Sequence, residues 1–137
     1  MLRELIALDT PLPQANAQIA AVEDMVQSGQ EMEAYLLHVF GDNPEGASVG
    51  QVEAVREAKE HLEDLGVDVE LLESSGAPAD EILVYAEEYD VDQICVGGRK
   101  RSPTGKALFG SVTQEVILGT NRPVLVCGGT TAESDAE

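Results

Sequence analysis

The sequence predicts a single α/β domain: a doubly wound, parallel five-stranded sheet with helices on both faces. Three observations point there. Short apolar runs such as Leu5-Ile6-Ala7-Leu8 alternate with longer stretches of helical periodicity. A run that is apolar at every position suits a parallel strand covered on both faces. Strand–helix alternation along the whole chain gives a parallel sheet with right-handed crossovers. To cover both faces the winding must reverse once, which opens a crevice at the carboxyl ends of the strands. The 137 residues make one domain with a single core.

The first strand spans residues 4–9 and ends on Asp9, where a sheet of this class puts ligand-binding residues. Residues 10–13 are a loop, and Pro13 suits the first turn of a helix running to about residue 28. Ile19, Val22 and Val26 give that helix an inner face, and Gly29 ends it. The second strand is AYLLHVF, residues 34–40, and residues 41–50 are the main irregular connection. A second helix covers 49–65. Val52, Val55, Leu62 and Leu65 face inward, while Glu53, Glu57, Glu60, Glu63 and Asp64 stay in water. Gly66 stops it. The third strand is 67–73, followed by a turn at 74–77. Pro78 opens the third helix with Asp80 and Glu81 in its first turn, as the helix dipole favours. Ile82, Tyr85, Ala86 and Tyr89 form its inner face. The fourth strand is 93–97, the last helix runs from 111 to about 118, and the fifth strand is 123–127. Residues 130–137 form an acidic tail expected to be disordered, so the domain is 1–129.

The functional stretch is residues 94–111, ICVGGRKRSPTGKALFGS. A buried strand breaks at Gly97-Gly98, crosses a basic loop and closes on Gly110-Ser111 at the start of a helix. Backbone N–H groups and the positive end of a helix dipole make such a turn a phosphate site. Arg99, Lys100, Arg101 and Lys106 are four of only eight Lys and Arg, and no Asp or Glu falls between 97 and 114. The whole chain carries a formal charge of −18, with 26 Asp and Glu. That excess argues against general nucleic-acid binding and suits a high-salt cytosol, where repulsion is screened.

Other features take their ordinary readings. Cys95 and Cys127 lie in apolar runs, as buried free thiols of a reducing compartment do. The apolar run at the amino terminus is short for a signal peptide and nothing reaches the length of a membrane span, so the expected location is cytoplasmic. Ser111 and Gln114 read as an S-x-x-Q capping box, a role compatible with phosphate contact. His38 and His61 read as a sheet residue and a helix-surface residue. Residues 98–106 are not a P-loop: six residues separate Gly98 from Gly105-Lys106, and Ala107 stands where a Mg²⁺-binding Ser or Thr belongs. No nucleophile stands beside a base.

Taken together, these segments resemble the universal stress protein family. Its nucleotide motif, G-x2-G-x9-G-[ST] after the fourth strand, is matched by Gly97, Gly110 and Ser111 at the first, third and fourth positions. Asp9 at the end of the first strand, Leu37-His38-Val39, GAPADEILVYAEEYDVD from Gly76, GSVTQEV from Gly110 and RPVLV from Arg122 extend the resemblance over almost the whole chain. It implies strand order 3-2-1-4-5. It also implies a stress-response regulatory protein binding ATP or AMP, with Mg²⁺ or Mn²⁺ as candidate companions, at the ends of strands 1 and 4. Asp9 and Val39 would line the adenosine side. Gly97, Lys100, Gly110 and Ser111 would hold phosphate, with Arg99 beside them. The second motif glycine is replaced by Lys100, which either obstructs the backbone's approach or substitutes an ammonium for it. The resemblance further implies a homodimer paired through Val124, Leu125, Val126 and Cys127 of the fifth strand. Two other functions stay open: a dimeric interaction module without nucleotide, and a weak ATP hydrolase using Asp9 and a metal.

Overall fold

A computed structural model describes residues 1–8, 12–40, 53–101 and 107–128. In chain order the elements are β1 (Leu2–Ala7), α1 (Leu12–Gln27), β2 (Met32–Phe40), α2 (Glu53–Asp64), β3 (Asp68–Ser75), α3 (Pro78–Glu88), β4 (Gln93–Arg101), β5 (Ala107–Phe109), α4 (Ser111–Gly119) and β6 (Val124–Gly128). Five parallel strands lie in the order β3-β2-β1-β4-β6, so the expected fold and strand order are observed, with β6 as the fifth parallel strand. The expected tail and the connection after β2 lie outside the described residues.

The apolar runs do what a two-sided sheet needs. Successive side chains point to opposite faces, so Ile6, Leu36 and Cys95 enter one core with Ile19 and Val22 of α1 and Val55 and Leu62 of α2. Leu5, Leu37 and Ile94 enter a second core with Ile82 and Ala86 of α3 and Val116 of α4. Each fully buried Leu or Ile contributes about 1.5–3 kcal/mol. Helix ends follow the sequence signals: Gly29 takes φ +106 two residues past the end of α1, and Pro78 opens α3 with Asp80 and Glu81 in its first turn.

Arg122 secures the start of β6. Its Nε donates to the Val91 carbonyl at 2.8 Å, and its terminal nitrogens reach Glu87 at 3.2 Å and Asp90 at 3.1 Å. The winding reverses between β1, whose crossover α1 lies on one face, and β4, followed by α4 on the other. The crevice therefore opens beyond Ala7 and beside β4.

Two local expectations are corrected. The fourth strand does not end at Gly97 but continues to Arg101, and Ala107–Phe109 pairs back on it antiparallel. Part of the expected loop is thus a hairpin arm. Arg99 pairs with Gly128 of β6 and also with Phe109 of β5. Since a strand has one neighbour on each side, β5 lies on the β1 side of β4, above the end of β1.

Candidate functional site

β4 changes character at its two glycines. Its ladder to β6 runs through Ile94, Cys95 and Val96, then shifts register and resumes only at Arg99. The interruption is a bulge, which re-aims the strand and leaves backbone groups seeking partners. Gly98 sits there at φ +90, and a Cβ on it would lie 2.9 Å from Thr113 Oγ1. Both the dihedral and the gap require glycine.

The amino end of α4 is fastened to this bulge. The buried Thr113 hydroxyl donates to the Gly97 carbonyl at 2.6 Å, and the Gly110 N–H donates to the Gly98 carbonyl at 3.3 Å. Gly110 is the N-cap, at φ −68 and ψ 166, and no side chain caps the helix. The expected capping box is therefore corrected. Ser111 is already the first helical residue, one position too far along to act as the cap. The Gln114 amide donates instead to the Phe109 carbonyl at 2.9 Å.

Between these parts lies a cleft of about 310 Å³, walled by Ala7 of β1, Ile82 of α3, Val96 and the bulge, and floored by Gly110 to Thr113. The first intrahelical bond runs from Gln114 N–H to Gly110. The preceding N–H groups, of Ser111, Val112 and Thr113, have no acceptor within the helix and carry its positive dipole end. One end of the cleft is thus apolar and the other is a set of backbone donors suited to an anion.

Of the candidate residues, the structure brings Gly97, Gly110 and Ser111 together around this cleft. Val39 does not line the cleft; it is half-buried near the end of β2, packed against the same core that holds Ile82 and Val96. Asp9 and Lys106 lie outside the described residues. Arg99 and Lys100 belong to the hairpin arm, where Lys100 pairs with Leu108 in extended strand. Among the described residues, the only non-glycine with positive φ is Asp90. The tight turn thus lies at Gly98, and Lys100 does not occupy a backbone conformation that demands glycine.

Sequence reasoning missed Thr113 and named Gly98 only as half of the Gly97-Gly98 break. Gly98 was visible as the second of two glycines. Thr113 showed only as a polar residue one helical turn before an inward-facing valine, a faint signal.

Elsewhere the polar groups are settled locally. The Cys95 and Cys127 sulfurs form no disulfide and lie 3.6 Å apart; their mutual hydrogen bond and burial hold the Cys95 thiol well above its usual range. His38 stacks edge-on against Phe40 at 4.3 Å, and burial lowers its pKa. The exposed His61 meets Glu23 at 2.9 Å. Among the described residues, no group of three or more His, Cys, Asp or Glu is placed to hold a metal ion. None of the described helices is long and apolar enough to cross a membrane.

Comparison with known proteins bears on this arrangement. The model of the Universal stress protein family matches residues 5–128. A universal stress protein of Mycolicibacterium smegmatis is 33% identical over 110 residues, which cover 77% of this chain and 85% of that protein. The solved structure of the Methanocaldococcus jannaschii universal stress protein MJ0577 superposes with TM-score 0.70 at 28% identity, covering 93% of this chain and 96% of that one. An Arabidopsis thaliana universal stress protein family protein, solved with AMP bound, shares the fold at TM-score 0.71 and 19% identity over 99% of both chains. The match along nearly the full length shows that this chain belongs to the universal stress protein family.

Proposed function

We propose that this protein is a regulatory binder of an adenine nucleotide, taken up in the cleft between β1, β4 and the start of α4. The observation that carries this reading is the α4 amino terminus, fastened to a glycine bulge and facing an apolar-walled cleft of about 310 Å³. That volume is at the small end of ligand pockets, so a mononucleotide is the natural scale. The nucleoside would lie along Ala7, Ile82 and Val96, and phosphate would meet the N–H groups at Ser111 and Val112. Gly97, Gly110 and Ser111 are the proposed contacts in the described part. Asp9, Val39, Arg99 and Lys100 remain proposed contributors, Lys100 through charge. Family membership supports the reading, as does the AMP bound to the Arabidopsis relative of the same fold.

AMP and ATP are the proposed ligands, with Mg²⁺ or Mn²⁺ a proposed companion of ATP, and turnover is not part of the reading. Calorimetric titration with AMP, ATP and adenosine in molar KCl tests it. Saturable AMP or ATP binding is expected, and the absence of any adenine-nucleotide binding by the folded protein would sink the proposal. Multiple-turnover phosphate release in the same samples would favour the hydrolase instead.

A second element of the proposal is assembly. β6 is an edge with Val124, Leu125 and Val126 only half-buried. An apolar edge of this kind invites antiparallel pairing with a second copy. At −18 formal charge such a pair repels itself in dilute salt, so the proposed dimer belongs to a salt-rich cytoplasm. Light scattering at micromolar protein in molar KCl should report a dimer, and a monomer there would remove that element.

A further inference from the structure

A bulge leaves strand carbonyls without ladder partners, and they must find other donors. At Gly97 and Gly98, where the ladder to β6 is interrupted, both carbonyls find donors at the start of α4. One donor is backbone, the Gly110 N–H at 3.3 Å; the other is the Thr113 hydroxyl at 2.6 Å. Thr113 is 4% exposed, and Val116, one turn along the same face, is fully buried. Valine would fill the Thr113 position equally well by shape and would bury no hydroxyl. The hydroxyl is therefore explained by its bond, which is short and aimed at a functional turn.

That bond has a geometric consequence. It holds the first turn of α4 so close to β4 that a single carbon added at Gly98 would come within 2.9 Å of Thr113 Oγ1. The same first turn carries the N–H groups of Ser111 and Val112. Their distance from the Gly97-Gly98 backbone depends on this bond, the shorter of the two that tie the first turn to the bulge. The other end of the cleft, formed by Ala7, Ile82 and Val96, is held by the core and does not depend on it.

We propose that Thr113 is a positioning residue for the phosphate end of the nucleotide: its bond to the Gly97 carbonyl sets the gap in which phosphate is gripped. The inference rests on the nucleotide reading above and deepens it. Thr113 touches neither phosphate nor nucleoside through its hydroxyl. It decides how well the donors at 111 and 112 converge, and so how far a nucleotide is preferred over its nucleoside. A pre-set donor array binds an anion without the cost of ordering the helix end at the moment of binding.

The test compares AMP with adenosine by calorimetric titration in one molar-KCl buffer, for wild type, Thr113→Val and Thr113→Ser. Wild type should prefer AMP. Thr113→Val should lose about tenfold in AMP affinity, with adenosine changed less than about twofold. Thr113→Ser keeps the hydroxyl and should retain the wild-type ratio. A merely structural threonine predicts that Thr113→Val weakens both ligands in step, and an unchanged ratio overturns the proposal. Thr113→Ala replaces the valine variant if that one does not fold. If neither folds while Thr113→Ser does, the hydroxyl is a folding requirement and the positioning role is overturned. Wild type that binds no AMP overturns the nucleotide reading and this inference together. AMP binding by wild type with an unchanged ratio in Thr113→Val overturns this inference alone.

Discussion

β4 carries polar groups inward at both of its ends, and the two ends treat them oppositely. At its start Gln93 pairs across the sheet with Glu4 of β1, which has 0% exposure. The Gln93 amide terminus lies 2.8 and 2.9 Å from the two Glu4 oxygens. An ionised carboxylate accepts from the amide nitrogen there, and a protonated one can donate to the amide oxygen. The pair is closed: each group is the other's partner, and neither lines the cleft beside α4. At the far end the bulge carbonyls are also satisfied, but the adjoining helix turn lines an open cleft. A closed polar pair specifies register, while an open donor set can also receive a ligand. Burial alone does not distinguish structure from function; the direction in which the unsatisfied atoms point does.

The closed end gives the largest expected effect. Burial, then the neighbouring Cys127 and Asp92, pushes Glu4 from its ordinary 4.5 up to about 8. The folded protein thus keeps a proton that the unfolded chain has released. Its contribution is fully present below about pH 4.5 and is lost as the pH rises through about 8. Denaturation at pH 5 and pH 9 should show wild type losing on the order of a few kcal/mol relative to Glu4→Gln, which cannot ionise. The variant should match wild type at pH 5 and exceed it at pH 9. Parallel losses in the two proteins would show that Glu4 is not the titrating group, and the closed end would lose its distinguishing property.

The open end predicts a contrast between two glycines that look alike in sequence. Gly98→Ala forces a side chain into φ +90 and to 2.9 Å from Thr113 Oγ1. Stability should fall by about 2 kcal/mol, and AMP binding with it. Gly110 has ordinary φ and nothing within 4 Å of an added Cβ. Gly110→Ala should cost less than about 1 kcal/mol, the scale of an N-cap preference. Chemical denaturation of both variants in molar KCl decides. Equal losses would mean that the bulge does not hold the gap.

How legible this was in the sequence follows the same division. The core strands were readable because Leu5-Ile6 and Leu36-Leu37 must satisfy two faces at once, which leaves a continuous apolar run. Helix boundaries were readable at Gly29 and Pro78, where the chemistry is local. The hairpin arm was not. Its pairing joins Arg99, Lys100 and Arg101 to residues 107–109, and basic residues in the segment carry no strand periodicity. Glycine usually punctuates, so Gly97 reads as the strand's end, yet here it marks a bulge inside a longer strand. Gly97, Gly110 and Ser111 stand out through the family motif they resemble, and the structure gathers them around one cleft. Thr113 was hidden because its partner is a carbonyl 16 residues away, and only the folded chain brings them together. Glu4 was hidden likewise: a carboxylate in a strand shows nothing of its burial until the strand on its other side is known.

The smallest stability effect is the most discriminating. A serine followed three residues later by glutamine suggests a capping box, and losing such a cap costs about 1 kcal/mol. In the structure Gly110 is the N-cap, no side chain caps α4, and Ser111 is exposed. Its hydroxyl therefore does little for the helix. Ser111→Ala should leave stability within about 0.5 kcal/mol, as for a surface substitution. If the donors at the start of α4 receive phosphate, the hydroxyl is free to add one more bond to it. AMP affinity should then fall about fivefold while adenosine affinity stays level. Paired denaturation and titration separate the two accounts. A stability loss of about 1 kcal/mol with unchanged AMP affinity would return Ser111 to the closed, structural class. Unchanged stability with weakened AMP binding would leave it where the geometry puts it, as an unspent donor at the open end of β4.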